Sequence, residues 1–132
     1  MGTRSLTHVK FDGKTLVTIY GQWDGYPSGM GKDLATFLAS KTVGNGIRDE
    51  KDRSFANGMH DLAAQLVAHL KAEKPVGSIY LYPADCGDCG EEYVYTIEGS
   101  FGACVPTITC KGEFEKLTAK DALAWIEAHK DE

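Results

Sequence analysis

The chain has 132 residues, of which 25% are charged and 42% hydrophobic, and its formal net charge is -5. This composition is typical of one globular domain, so we predict a single α+β domain over residues 1–132. There is no basic stripe and no long apolar run after Met1, which argues against extended nucleic acid, a signal peptide and a membrane span. With four cysteines and no signal peptide, we expect a cytoplasmic protein without a disulfide framework.

The first elements in the chain are two strands. Residues 6–11 and 15–20 are β-prone, and Asp12-Gly13 between them is a pair typical of a tight hairpin. The alternation of the second strand places Tyr20 on the face opposite to Ile19.

Two amphipathic helices follow. The first is predicted to begin with Ser28 as its N-cap and to end at about Ser40. Residues 41–53 are glycine-rich and charged, which indicates a loop. The second helix opens at Asn57 and ends before Pro75.

Three strands and a last helix complete the chain. The strands are predicted at residues 79–82, 92–98 and 103–110, and Pro106 indicates an edge position or a bulge in the third. Phe114 adds a short strand, and Thr118 caps the last helix. The order ββααβββα predicts an antiparallel sheet of four to six strands, covered on one face by three helices.

One segment, residues 20–31, differs from ordinary surface loops. It places aromatics, an amide and a carboxylate among glycines, as Tyr20-Gly21-Gln22-Trp23-Asp24-Gly25-Tyr26-Pro27-Ser28-Gly29-Met30-Gly31. Unpaired N–H groups at the start of a helix, beside an aromatic platform, suit a ligand with an anionic and a planar part. The alternative is that Trp23 and Tyr26 pack the helix against the sheet. The predicted ligand-binding residues are Tyr20, Gln22, Trp23, Asp24, Tyr26, Ser28, Gly29, Gly31, Glu92 and Tyr93.

The six tyrosines permit two interpretations. Tyrosine is favoured in sheets by packing alone, but tyrosines beside Trp23 can also stack on a planar ligand such as a base. The residues concerned are Tyr20, Tyr26, Tyr80, Tyr82, Tyr93 and Tyr95.

The four cysteines permit three interpretations. Cys86-Gly87-Asp88-Cys89 has the spacing of a zinc knuckle, which Cys104 and Cys110 can complete only with unusual spacing. A redox Cys-x-x-Cys is expected at a helix start, whereas a strand follows here. We therefore favour free thiols and predict no metal ion and no cofactor.

Acidic residues are the candidates for catalysis. Asp24, Asp85, Asp88, Glu91 and Glu92 can supply a carboxylate pair for acid–base chemistry. However, the chain contains no nucleophile elbow, Walker loop, His-Glu-x-x-His sequence or dinucleotide fingerprint. This pattern favours a non-catalytic protein.

A set of short sequences resembles a known family. Besides residues 20–31, the set comprises Asn45-Gly46, Asn57-Gly58-Met59, Leu62-Ala63-Ala64-Gln65-Leu66-Val67, Tyr80-Leu81-Tyr82-Pro83 and Cys89-Gly90-Glu91-Glu92-Tyr93-Val94-Tyr95. Together they resemble small uncharacterised proteins of bacteriophages, prophages and some large DNA viruses. The resemblance implies a viral accessory protein acting in the host cytoplasm. The chain departs from the family pattern at Cys86, which argues against a zinc site common to the family.

Three functions follow as hypotheses. The first is a non-catalytic protein that captures a small, nucleotide-like ligand and so sequesters a host defence signal. The second is a module that inhibits a host protein through Trp23 and Tyr26. The third is a small hydrolase that uses Asp24 or Glu92. None of them involves a membrane, and the sequence leaves homo-oligomerisation open.

Overall fold

The computed structural model describes residues 2–46 and 51–130. These residues form eight strands and three α-helices. They are β1 Ser5–Phe11, β2 Lys14–Gly21, α1 Lys32–Ala39, β3 Thr42–Gly44, β4 Phe55–Asn57, α2 Gly58–Lys71, β5 Ile79–Tyr82, β6 Tyr93–Gly99, β7 Thr107–Cys110, β8 Phe114–Thr118 and α3 Ala119–His129. The α+β class and the three helices are confirmed for the described part of the chain.

The main sheet is mixed, which differs from the expected antiparallel sheet. Its six described strands have the order β5-β2-β1-β6-β7-β8. All neighbours are antiparallel except β1 and β6, which run in parallel with Val9 opposite Ile97. The parallel pair arises because the chain leaves β5 at one edge, passes β2 and β1, and enters β6 in the same direction as β1.

A second, small sheet lies within and just beyond the predicted loop at residues 41–53. Strands β3 and β4 pair in parallel, with Val43 opposite Ala56, and Val43 also forms a bridge to Cys104. Strands of three residues are too short to show an alternation pattern, which explains why the sequence did not reveal them. Within that predicted loop, residues 47–50 lie outside the described residues.

One face of the main sheet packs against the helices. Val9, Ile19, Ile97 and Ile108 point to this face and are at most 1% exposed. An added Cβ on Gly99 would clash with Met59 of α2, which shows how closely that helix approaches the sheet. Helices therefore cover this face, as predicted.

The opposite face is partly covered by the loop of residues 83–92. Leu6 and Tyr20 point away from the helices but are only 3% and 6% exposed. A Cβ on Gly90 would meet the guanidinium group of Arg4, and the Glu92 N–H donates to the Arg4 carbonyl over 2.9 Å. The loop between β5 and β6 thus lies over β1 and β2.

Two local predictions need correction, and a third is confirmed. Ser28 is not an N-cap, because a π-helical turn, Pro27–Gly31, begins at the proline and continues into α1. Proline suits the first position of a helix because it has no N–H to leave unpaired. Pro106 precedes β7, which is an interior strand, so the predicted edge position is wrong, although the pairing of β7 with β8 does have an irregular register between Ile108 and Cys110. The Thr118 hydroxyl caps α3 by accepting from the Asp121 N–H.

Candidate functional site

The segment of residues 20–31 is fixed to the sheet at Gly25. The Gly25 N–H donates to the Thr3 carbonyl over 2.9 Å. The Gly25 carbonyl accepts from the buried Tyr95 hydroxyl of β6 over 2.7 Å. Burial raises the pKa of Tyr95, so this phenol remains a donor at any physiological pH. Two hydrogen bonds therefore set the position of the turn that carries Tyr26 and Ser28.

The predicted unpaired N–H groups of this segment are not all present. The Gly29 N–H donates to the Tyr26 carbonyl over 2.9 Å, and the Met30 N–H donates to the Asp24 carbonyl over 2.7 Å. A Cβ on Gly29 would clash with the Asp24 carbonyl, and one on Gly31 would crowd Tyr95. These two glycines are therefore explained by close packing, and the expected anion site on these amides is wrong for Gly29 and Met30.

The aromatic side chains of the segment lie at the surface. Trp23 is 52% exposed and Tyr26 39%, so the alternative that both pack the helix against the sheet is wrong. The Tyr26 hydroxyl donates to Asp24 Oδ1 over 3.1 Å, and this hydrogen bond to the carboxylate raises the pKa of Tyr26. The bond orients the Tyr26 ring, which remains available for contact.

A cavity of about 310 Å³ lies between this segment and the last helix. Its walls come from the π-helical turn, β6, the turn between β7 and β8, and α3. The lining residues are Tyr26, Pro27, Ser28, Tyr93, Glu113, Trp125, Ile126, His129 and Lys130.

The α3 wall carries aromatic and basic groups. The Trp125 and His129 rings stack with centroids 4.0 Å apart at 14°, and Phe114 contacts Trp125 at 5.0 Å. His129 Nδ1 lies 2.7 Å from the Trp125 carbonyl, which can only accept, so Nδ1 carries the proton. Lys130 Nζ donates to Glu127 over 2.8 Å at the surface, where such a pair adds little stability.

The structure brings together only some of the predicted site residues. Tyr26, Ser28 and Tyr93 line the cavity, whereas Gly29 and Gly31 lie behind its wall.

The remaining predicted residues lie elsewhere. Trp23 and Asp24 are exposed and are not among the residues that line the cavity. Tyr20 faces away from the helices and donates to Gln22 Oε1 over 2.9 Å. Glu92 is exposed at the end of the loop over the opposite face.

The sequence did not reveal five of the lining residues. They are Glu113, Trp125, Ile126, His129 and Lys130. The spacing of Trp125 and His129, four positions apart on a helix, is the one pattern that indicates an aromatic surface there.

The tyrosines do not form one wall. Tyr20 stacks on Tyr82 at 4.8 Å and 4°, and it contacts Tyr80 at 5.9 Å, all on the face away from the helices. Tyr93 and Tyr95 belong to the helix face. The interpretation as a continuous ligand platform is therefore wrong, because the sheet divides the side chains between its two faces.

Within residues 2–46 and 51–130, no group of three or more His, Cys, Asp or Glu side chains is placed to hold a metal ion. None of the helices described is long and apolar enough to cross a membrane.

The comparisons with known proteins give no match. Neither family models nor curated proteins nor solved structures match the chain significantly. The cavity and the residues that line it are therefore the basis on which a function can be inferred.

Proposed function

We propose that the protein binds a small ligand, without catalysis, in the cavity between the π-helical turn and α3. The observation that carries the proposal is that a cavity wall formed by Tyr26 and Ser28 faces a second wall formed by Trp125 and His129. Residues distant in the sequence thus meet around one concave space, which is the usual form of a small-molecule site.

The size of the cavity limits the ligand. Small-molecule sites typically enclose about 300–1,000 Å³, and this cavity of about 310 Å³ is at the lower end of that range. It suits a molecule no larger than a mononucleotide.

The lining groups suggest the chemistry of the ligand. Trp125, Tyr26 and Tyr93 offer aromatic surface for a planar ring. Lys130 and the Ser28 hydroxyl can contact an anionic group, and the Glu113 carboxylate accepts from hydroxyl or amino groups. A nucleoside monophosphate combines all three features, so we take it as the ligand class.

The biological context is a further part of the proposal. The resemblance of the short sequences to small phage and viral proteins supports an accessory protein of viral type. A non-catalytic site for a nucleotide-like molecule would let such a protein sequester a defence signal in the host cytoplasm.

The test is calorimetric titration with AMP, GMP and cyclic AMP. Adenosine and inorganic phosphate are titrated as well, because each represents one part of a nucleotide. We expect saturable binding of at least one nucleotide, with weaker binding of both parts. Ser28→Tyr, which fills the cavity from an exposed position, should abolish binding, and Lys130→Gln should weaken it.

The matched control is Lys120→Gln, an exposed lysine of α3 that is not among the lining residues. It should bind like the wild type. Equal binding by Ser28→Tyr and wild type would contradict the location of the site.

The exposure of Trp23 and Tyr26 favours a second candidate function, in which the protein binds and inhibits a host protein. Aromatic side chains of this kind are common anchors in interfaces. Trp23→Ala would then abolish partner binding and leave nucleotide binding unchanged. No comparable observation favours the hydrolase, because neither Asp24 nor Glu92 is among the residues that line the cavity.

A further inference from the structure

Two cysteines meet in the loop of residues 83–92, away from the cavity. Cys86 and Cys89 are both free thiols and both half-buried. Their sulfur atoms share one acceptor, because the Gly87 carbonyl lies 3.7 Å from Cys86 Sγ and 3.6 Å from Cys89 Sγ. Cys89 Sγ also lies 3.9 Å from the Cys86 carbonyl. The two thiols thus point into the same small volume.

Hydrogen bonds within the loop hold the cysteines in this arrangement. The Cys86 N–H donates to the Pro83 carbonyl over 3.1 Å. The Cys89 N–H donates to Glu91 Oε1, and the Gly90 N–H donates to Asp88 Oδ1, each over 2.8 Å. Gly87, between the cysteines, has a φ of 71°, a conformation that costs glycine little. The backbone conformation of the loop therefore holds the two thiols close together.

The other two cysteines have different surroundings. Cys110 is fully buried beneath the helices, and Cys104 bridges to Val43 of the small sheet. The arrangement at Cys86 and Cys89 is not that of a thioredoxin-like enzyme, because no helix begins at the first cysteine. It suits two thiols that form a disulfide with each other.

We propose that Cys86 and Cys89 are a modification site, at which a reversible disulfide forms by exchange with a low-molecular-weight disulfide such as oxidised glutathione. One cysteine thiolate attacks a sulfur of glutathione disulfide, which breaks that S–S bond and releases one glutathione. The second thiolate attacks the mixed disulfide, forms the Cys86–Cys89 bond and releases a second glutathione. Two electrons pass to the glutathione disulfide, and the two thiol protons end on the two glutathione molecules.

The environment of Cys89 predicts slow attack by its thiol near neutral pH. Burial and the hydrogen bond to Cys86 raise the pKa of Cys89 to about 11. Only the thiolate is nucleophilic, so attack by Cys89 should become about tenfold faster per pH unit between pH 6 and 8. The disulfide would fix the loop over Tyr20. Burial is the main cause that raises the pKa of Tyr20, and the nearby Cys89 thiol is a further, smaller cause.

The experiment equilibrates the full-length reduced protein in glutathione buffers of increasing oxidised fraction, blocks free thiols and measures the intact mass and the digested peptides. We expect a loss of two hydrogens per chain and one peptide cross-linked between Cys86 and Cys89. Cys89→Ser should instead accumulate a glutathione adduct on Cys86. Cys104→Ser, the matched control, should form the same cross-link as the wild type.

Two results would overturn the proposal. One is a wild-type chain that keeps all four thiols in the most oxidising buffer. The other is a cross-linked peptide that joins any other pair of cysteines. The peptide assignment uses the wild-type chain, so it does not depend on whether a variant folds.

Discussion

Replacing Tyr95 by phenylalanine should destabilise the protein far more than the loss of one oxygen atom suggests. The side chain is 0% exposed, and its hydroxyl donates to the Gly25 carbonyl over 2.7 Å. The variant removes this donor from a carbonyl that is itself in a buried residue. Leaving such a group without its partner costs about 1–3 kcal/mol. We therefore expect the free energy of unfolding in urea to fall by this amount.

Tyr93→Phe is the matched control for this prediction. It makes the same chemical change two residues away on the same strand, but at a half-buried side chain that lines the cavity. Its effect on stability should stay within about 0.5 kcal/mol, the usual range for changes away from buried networks. If Tyr95→Phe lowers the free energy of unfolding no more than Tyr93→Phe does, the Tyr95 hydroxyl does not fix the segment.

The remaining predictions concern the same segment and the core below it. Gly29→Ala should cost about 1–3 kcal/mol in chemical denaturation, because the new methyl group meets the Asp24 carbonyl, whereas alanine at exposed Ser28 should have little effect. Trp23→Ala should change stability by less than about 1 kcal/mol because the side chain is 52% exposed, and a larger loss would show that it packs as a core residue. Burial raises the pKa of Cys110 to about 11 from an ordinary value of 9.0. Its contribution to stability is therefore complete below pH 9 and lost as the pH rises through 11. Between pH 8 and 11, the free energy of unfolding should fall less steeply for Cys110→Ala than for the wild type. Equal slopes would contradict a raised pKa at Cys110.

The periodic parts of the fold could be predicted from the sequence. Alternation identified β1, β2, β5 and β6 to within one residue at either end, and helical spacing identified α2 with its opening at Asn57. These elements are long or regular enough for their apolar period to be visible. The parallel pairing of β1 with β6 could not be predicted, because it depends on where the loop of residues 83–92 crosses the sheet.

The candidate site was predictable only on one side. The unusual composition of residues 20–31 pointed to Tyr26 and Ser28, and both line the cavity. Trp125 and His129 could not be found in this way, because an aromatic residue on an amphipathic helix is usually explained by the core. Gly29 and Gly31 were assigned to the ligand site for a related reason. Close backbone packing and the approach of a ligand both require a residue without a side chain.

The two tryptophans allow nucleotide binding in the cavity to be tested directly. In Trp23→Phe, Trp125 is the only tryptophan and lines the cavity, so its fluorescence reports on occupancy. Titration of this variant with AMP, GMP and cyclic AMP should give a saturable change for at least one of them. The change should disappear when Ser28→Tyr is added. No saturable change with any nucleotide, or an equal change with the cavity filled, would contradict a nucleotide-binding site between the π-helical turn and α3.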